Sequence, residues 1–173
     1  MALTVRKCTR QKQFLDLFKK LSDLCEEANW GDPHSYARGK EIYAACVLGH
    51  KVSETLSGAD AYTLQGDPLE YKSTIQETNR GAYTGISVKP TWAEQVKYLE
   101  KEKILKYKWH YYNRFDGGKL VESWRISGQD VYNILLPKIK NKYQNKANST
   151  ADPRLSANIT WTEIKKYGEK IIL

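Results

Sequence analysis

The stretch Gly58-Ala-Asp-Ala-Tyr-Thr-Leu-Gln-Gly-Asp-Pro-Leu-Glu-Tyr-Lys-Ser73 decides the fold expected for this chain. Proline can open a strand but cannot donate a hydrogen bond from its middle, so a strand is predicted from Pro68 to about Ile75. If Ala61–Leu64 is a second strand and 65–67 the turn, the two strands pair as a hairpin. This register brings Asp60 back across from the segment between Glu70 and Lys72.

These three residues suggest a magnesium-dependent hydrolytic site. Glu70 and Lys72 lie two positions apart and therefore share one face of the strand. Magnesium prefers one or two carboxylates, with water and substrate phosphate completing its coordination. Asp60 and Glu70 fit that role together with the backbone carbonyl of Tyr71, and Lys72 would donate to the scissile phosphate or the attacking water. The same spacing also arises by chance on solvated strands of charged chains.

Composition favours a polyanionic partner. The chain has 173 residues, 40% of them hydrophobic, and a formal net charge of +8, so we expect a single folded domain over 1–173 that binds nucleic acid. A basic domain without such a role is the alternative. Cys8, Cys25 and Cys46 are widely spaced, which favours a reduced, cytoplasmic protein. We expect neither a signal peptide nor a membrane span.

The remaining patterns predict an α/β fold with a central mixed sheet flanked by helices. An amphipathic helix over 9–29 has an apolar stripe that packs either on the core or against a twin helix in a dimer. In a second helix ending near Gly49, Arg38 and Lys40 either contact phosphate or are solvated. Other predicted elements are a polar loop over 76–90, a helix over 91–105, a hairpin over 106–126, a helix over 129–142, a strand over 157–161 and a short helix to Gly168.

The arrangement of Asp60, Glu70 and Lys72 resembles the PD-(D/E)xK nuclease superfamily, and within it type II restriction endonucleases of the PvuII kind. The match covers these positions: Gly58, Asp60, Ala61, Glu70, Lys72 and Ser73, and more weakly Gly81, Thr84, Pro90, Ile159 and Gly168. Ala59 stands where the superfamily has its proline. The resemblance implies a restriction-endonuclease-like fold, a homodimer to which the helix within 1–30 contributes, double-stranded DNA as substrate, Mg²⁺ at Asp60 and Glu70, and Lys72 as the catalytic lysine.

The segment after the proposed catalytic strand departs from that family, because it lacks the histidines that read bases there. Asn suits adenine and Arg suits guanine, so Asn79 and Arg80 are candidates for base contacts, although turn residues with solvated tips fit equally well. The other predicted DNA-binding residues are Tyr83, Thr84, Ser87, Lys89, Arg154, Ser156 and Asn158. The predicted function is a sequence-specific double-stranded DNA endonuclease. The alternatives are a repair, homing or nicking nuclease, and a basic DNA-binding protein without catalysis.

Overall fold

The computed structural model of the protein describes residues 9–55, 57–145 and 154–173. These described residues form five α-helices and eight strands, and a π-helical segment, Leu99–Lys103, follows the third helix. The helices are α1 (Thr9–Glu27), α2 (Arg38–Leu48), α3 (Trp92–Tyr98), α4 (Gly128–Asn145) and α5 (Trp161–Tyr167). The strands are β1 (Lys51–Val52), β2 (Ala61–Tyr62), β3 (Pro68–Thr74), β4 (Gly81–Ile86), β5 (Trp109–Asp116), β6 (Lys119–Ser127), β7 (Leu155–Ile159) and β8 (Glu169–Ile171).

The central sheet is mixed, as the sequence predicts. Its six strands run in the order β1-β2-β3-β5-β6-β8, with β3 and β5 parallel and the other neighbours antiparallel. The fold is therefore α/β, with helices flanking a mixed sheet. The hairpin between β5 and β6 turns at Gly117 and Gly118, whose φ angles of 51° and 79° suit a two-residue turn.

The segment 76–90 differs from its prediction as a polar loop. Residues 81–86 form β4, which pairs antiparallel with β7 in a separate two-stranded sheet. The alternation of buried and exposed residues along β4 explains the difference, because Gly81, Tyr83 and Ile86 face the core while Ala82 and Thr84 face outward. Glycine and tyrosine at two inward positions hid this pattern among polar neighbours.

The central sheet separates two apolar clusters. On one face, Leu69 and Tyr71 of β3 pack with Tyr111 of β5 and with α2. The opposite face meets the larger cluster, which contains residues of β4, β7, α4 and the π-helical segment. Strand alternation directs Glu70 and Lys72 towards this second face.

Helix α1 exposes its apolar stripe. Of its 19 residues, all described, Cys25 alone is buried. The prediction that the stripe packs on the protein's own core is therefore wrong. The stripe residues are between 43% and 67% exposed: Phe14, Leu17, Phe18, Leu21 and Leu24. Cys25 and Cys46 are free thiols, and Cys8 lies outside the described residues. Within the part of the chain that the structure describes, no helix is both long enough and apolar enough to cross a bilayer.

Arg38 is neither a phosphate contact nor a solvated charge. It is 2% exposed, and its Nε donates to the carbonyl of Trp30 at 2.7 Å. Its Nη2 donates to the carbonyl of Ser53, and its Nη1 lies 3.4 Å from Glu41 Oε2. Arg38 therefore joins the α1–α2 connection to the segment that leads into β2.

We expect Arg38→Met to lower the free energy of unfolding by about 3 kcal/mol, because it removes the donor from the buried Ser53 carbonyl, the partly buried Trp30 carbonyl and the Glu41 carboxylate. Urea unfolding measures this change. Lys40→Met is the matched control, since Lys40 is exposed on the same helix. Equal stability of the two variants would show that the guanidinium contributes nothing to this connection.

Candidate active site

The β2–β3 hairpin brings Asp60 opposite Glu70. Ala61 pairs with Leu69 and Tyr62 with Pro68, and the next step of this register sets Asp60 against Glu70. The Asp60 N–H donates to the Leu69 carbonyl at 3.0 Å. The first strand is two residues shorter than predicted, and the pairing is shifted by two residues, because Tyr62 rather than Leu64 lies opposite Pro68. Asp60 nevertheless lies across from the expected segment, opposite Glu70.

The carboxylate of Asp60 is anchored to the main chain of β3. Its Oδ2 accepts a hydrogen bond of 2.6 Å from the Tyr71 N–H. The Tyr71 side chain points to the other face of the sheet, where its hydroxyl lies 2.6 Å from His50 Nδ1. The main chain of Tyr71 is therefore the part of this residue that lies at the site.

Glu70 and Lys72 form an ion pair on the adjoining strand. Lys72 Nζ donates to Glu70 Oε1, and the two side chains are 21% and 16% exposed, respectively. Neither side chain is fully buried. Asp60, Glu70 and Lys72 thus converge at one half-buried point.

Electrostatics at Asp60 show that the site is short of positive charge. Burial, together with the nearby carboxylates of Glu70 and Glu41, raises the pKa of Asp60 to about 7, although the Tyr71 N–H and Lys72 act in the opposite direction. A carboxyl group with this pKa is ionised only in part at neutral pH. An added cation would relieve the repulsion.

Asp60 and Glu70 are two carboxylates, the ligand type that magnesium prefers. Among residues 9–55, 57–145 and 154–173, no three His, Cys, Asp or Glu side chains form a group that could hold a metal ion. Two carboxylates with backbone oxygen, water and substrate phosphate are the kind of incomplete cage in which Mg²⁺ is usually held. Asp60 and Glu70 would supply the carboxylates.

Sequence reasoning missed several residues around the site. Glu41 lies on α2, far away in the chain, and only its helical spacing from Arg38 hinted at a structural role. Tyr107 donates from its hydroxyl to the Gly58 carbonyl at 2.7 Å, which fixes the segment before Asp60. Burial and the charge of Glu70 raise the pKa of the Tyr107 hydroxyl. His110 lies beside Glu70 in the parallel register, whereas the sequence assigned it no role.

Two of the predicted DNA-binding residues are buried. Asn79 is fully buried and donates from Nδ2 to Glu122 Oε2 at 3.2 Å. Tyr83 is 6% exposed, and its hydroxyl is used inside the protein. Because both side chains point inward from their segments, neither is available to a base edge, and the prediction is corrected for them.

The other predicted DNA-binding residues lie at or near the surface. Thr84 and Asn158 are exposed on the outer face of the β4–β7 ribbon, and Ser156 is half-buried beside them, accepting from Lys142 Nζ at 3.1 Å. Arg80 precedes β4 and Arg154 precedes β7. Their exposure falls into two classes: Arg80, Ser87 and Arg154 are exposed, and Lys89 is half-buried.

Comparison with known proteins does not assign the chain to a family. No family model matches the sequence, and no curated protein is significantly similar to it. The interpretation of the site therefore depends on its geometry and chemistry.

We expect Asp60→Asn to stabilise the metal-free protein at pH 8 by about 2 to 4 kcal/mol, at about 1.4 kcal/mol per pKa unit. The folded state binds the Asp60 proton more tightly than the unfolded chain, so wild-type stability falls as the pH rises from about 4 to about 7. Urea unfolding in chelator at pH 4.5 and pH 8 measures the difference, which should nearly vanish at the lower pH.

Magnesium should instead stabilise the wild type relative to Asp60→Asn. A ligand that binds only the folded state raises stability, so Mg²⁺ should raise the melting temperature of the wild type and leave Asp60→Asn nearly unchanged. An equal shift in both proteins would exclude Asp60 as a ligand.

Proposed function

We propose that this protein is a magnesium-dependent endonuclease that hydrolyses phosphodiester bonds of double-stranded DNA, with a site of the PD-(D/E)xK type on a restriction-endonuclease-like fold. The observation that carries the proposal is the convergence of Asp60, Glu70 and Lys72 from two paired strands at one half-buried point. A non-catalytic DNA-binding protein would not need a carboxyl group held at a raised pKa beside a second acid.

Each side chain has a role in this reaction. Asp60 and Glu70 would hold Mg²⁺, which when bound supplies electrostatic stabilisation to the phosphate in the transition state. The Tyr71 N–H fixes the orientation of the Asp60 carboxylate. Lys72, which pairs with Glu70 in this structure, would donate to the scissile phosphate or to the attacking water.

The β4–β7 ribbon is the proposed DNA-contacting surface. Its outer face carries Thr84, Ser156 and Asn158, whose side chains can donate to base edges and phosphates. Lys138 and Lys142 of α4 border this face and hydrogen-bond the Asn158 carbonyl and the Ser156 hydroxyl. A two-stranded ribbon fits the width of the major groove.

We expect Asp60→Ala and Lys72→Ala each to lower the rate of magnesium-dependent cleavage of duplex DNA by at least about 100-fold while DNA binding persists. Asp67→Asn is the matched control, because Asp67 is an acid of the same hairpin that pairs with Lys108 at 2.8 Å, away from the site. Undiminished cleavage by either site variant would remove that residue from the mechanism.

Mapping the ends formed on a plasmid of known sequence distinguishes the kinds of nuclease. Discrete fragments support a type II restriction enzyme. Nicked circles or a smear would support a nicking, repair or homing nuclease, and no cleavage under any magnesium concentration would leave a binding protein.

The protein acts as a homodimer in this proposal. A second copy placing its own α1 against the exposed stripe would bury Phe14, Leu17, Leu21 and their neighbours in a self-complementary contact. Two copies also supply two sites, one for each strand of the duplex.

We expect Leu21→Glu to weaken dimerisation by at least about tenfold, because it places a charge in an apolar contact. Sedimentation velocity over a concentration series measures the dissociation constant. Lys12→Glu, on the polar side of α1, is the control and should leave it nearly unchanged. A wild-type protein that stays monomeric at every concentration would contradict the dimer.

A further inference from the structure

Three buried aromatic rings lie beside the Glu70–Lys72 pair. In the parallel register of β3 and β5, His110 stands beside Glu70 and Tyr112 beside Lys72. Both rings are fully buried. The third ring, Tyr83, comes from β4 and covers them from the side of the larger core. The side chains that would act on substrate therefore adjoin these three rings, His110, Tyr112 and Tyr83, which we call the aromatic cluster.

Hydrogen bonds fix this aromatic cluster in one arrangement. His110 Nε2 lies 3.2 Å from the Ile104 carbonyl, which can only accept, so Nε2 carries the proton and Nδ1 accepts. Tyr83 then donates to Nδ1 at 3.0 Å, and Tyr112 donates to the Tyr83 oxygen at 2.8 Å. Each hydrogen bond in this network therefore has one defined donor and one defined acceptor.

The rings carry no charge at neutral pH. Burial lowers the pKa of His110 to about 4, and burial raises the pKa values of Tyr83 and Tyr112. The hydrogen bonds of these three rings therefore do not depend on a titration near neutral pH.

The Tyr83 ring contacts Lys72. Lys72 Nζ lies 5.0 Å from the centroid of the ring, within the range of cation–π attraction. The lysine stem has four rotatable carbons, so an ion pair with Glu70 alone leaves its ammonium mobile. The contact with the Tyr83 ring restricts the position of the Lys72 ammonium further.

Gly81 allows β4 to lie this close. A Cβ atom at Gly81 would be 2.2 Å from Cε1 of Tyr112, closer than any side chain permits. Strand β4 therefore rests directly on the Tyr112 ring, and two residues later Tyr83 reaches both Tyr112 and His110. The absence of a side chain at Gly81 therefore allows both the close approach of β4 and the position of the Tyr83 ring.

We propose that Tyr83 is a positioning residue for Lys72: the face of its ring holds the ammonium, and Tyr112 and His110 hold the ring. Tyr83 does not touch substrate. The kinetic consequence rests on the proposed nuclease function, whereas the contact between Tyr83 and Lys72 does not.

Spectroscopy tests the contact without DNA or metal. In protein carrying ¹³C at the lysine ε carbon, the ε-CH₂ signal of Lys72, identified by its loss in Lys72→Arg, should be shifted upfield by the ring current of Tyr83. The shift should persist in Tyr83→Phe and disappear in Tyr83→Leu. An unshifted Lys72 signal in the wild type would overturn the proposal, and this measurement needs no variant of Tyr83 to fold.

Kinetics test the consequence. We expect Tyr83→Leu to lower kcat for DNA cleavage by about 30-fold with KM within about twofold of wild type, since desolvated cation–π contacts reach that strength. Tyr83→Phe keeps the ring and should lose less. Tyr132→Leu is the control, because Tyr132 is buried in the same core but bonds Glu100.

The outcomes separate this proposal from the nuclease function. An equal loss of kcat in Tyr83→Leu and Tyr132→Leu would mean a merely structural role and would overturn the positioning. So would a change in KM alone. A shifted Lys72 signal in a protein that cleaves no DNA would support the positioning and remove the nuclease function.

Discussion

The pairing of β2 with β3 is the constraint on which the site depends. Two main-chain groups of β3 hold Asp60. The Leu69 carbonyl accepts from the Asp60 N–H, and the Tyr71 N–H donates to the Asp60 carboxylate. A slip of one residue would move Glu70 and Lys72 to the face that packs against α2. Pro68 and the parallel neighbour β5 oppose such a slip, because the register of β3 is set on both sides.

The electrostatics of the site are unfavourable to folding in the absence of a ligand. Asp60 is buried near the carboxylates of Glu70 and Glu41, which raise its pKa, and the charge of Lys72 offsets them in part. Natural sites commonly keep such a local cost where activity needs it. Here neutral groups stabilise the arrangement. The Tyr107 hydroxyl donates to the Gly58 carbonyl, and the Tyr83 ring contacts the Lys72 ammonium.

The sequence predicted what local patterns determine. Pro68, the alternation after it and Gly117-Gly118 gave the two hairpins, and helical spacing gave α1 and α4. It did not predict which polar residues are buried. In the interior, Arg38 donates to the carbonyls of Trp30 and Ser53, and Asn79 donates to Glu122, and no local pattern contains such partners. The inward face of β4 was missed because Gly81 and Tyr83 are inward for contacts with β5, which lies about 30 residues further along the chain.

The alternation along β4 divides constraints between its two faces. Inward residues are fixed by close contacts with Tyr112 and His110, so nearly any replacement there would disturb the interior. Outward residues such as Ala82 and Thr84 contact no comparable partner in the core and can be exchanged at little cost in stability. The ribbon is thus a surface on which variation can accumulate over evolutionary time, or be introduced by library design, while the interior beneath it stays unchanged.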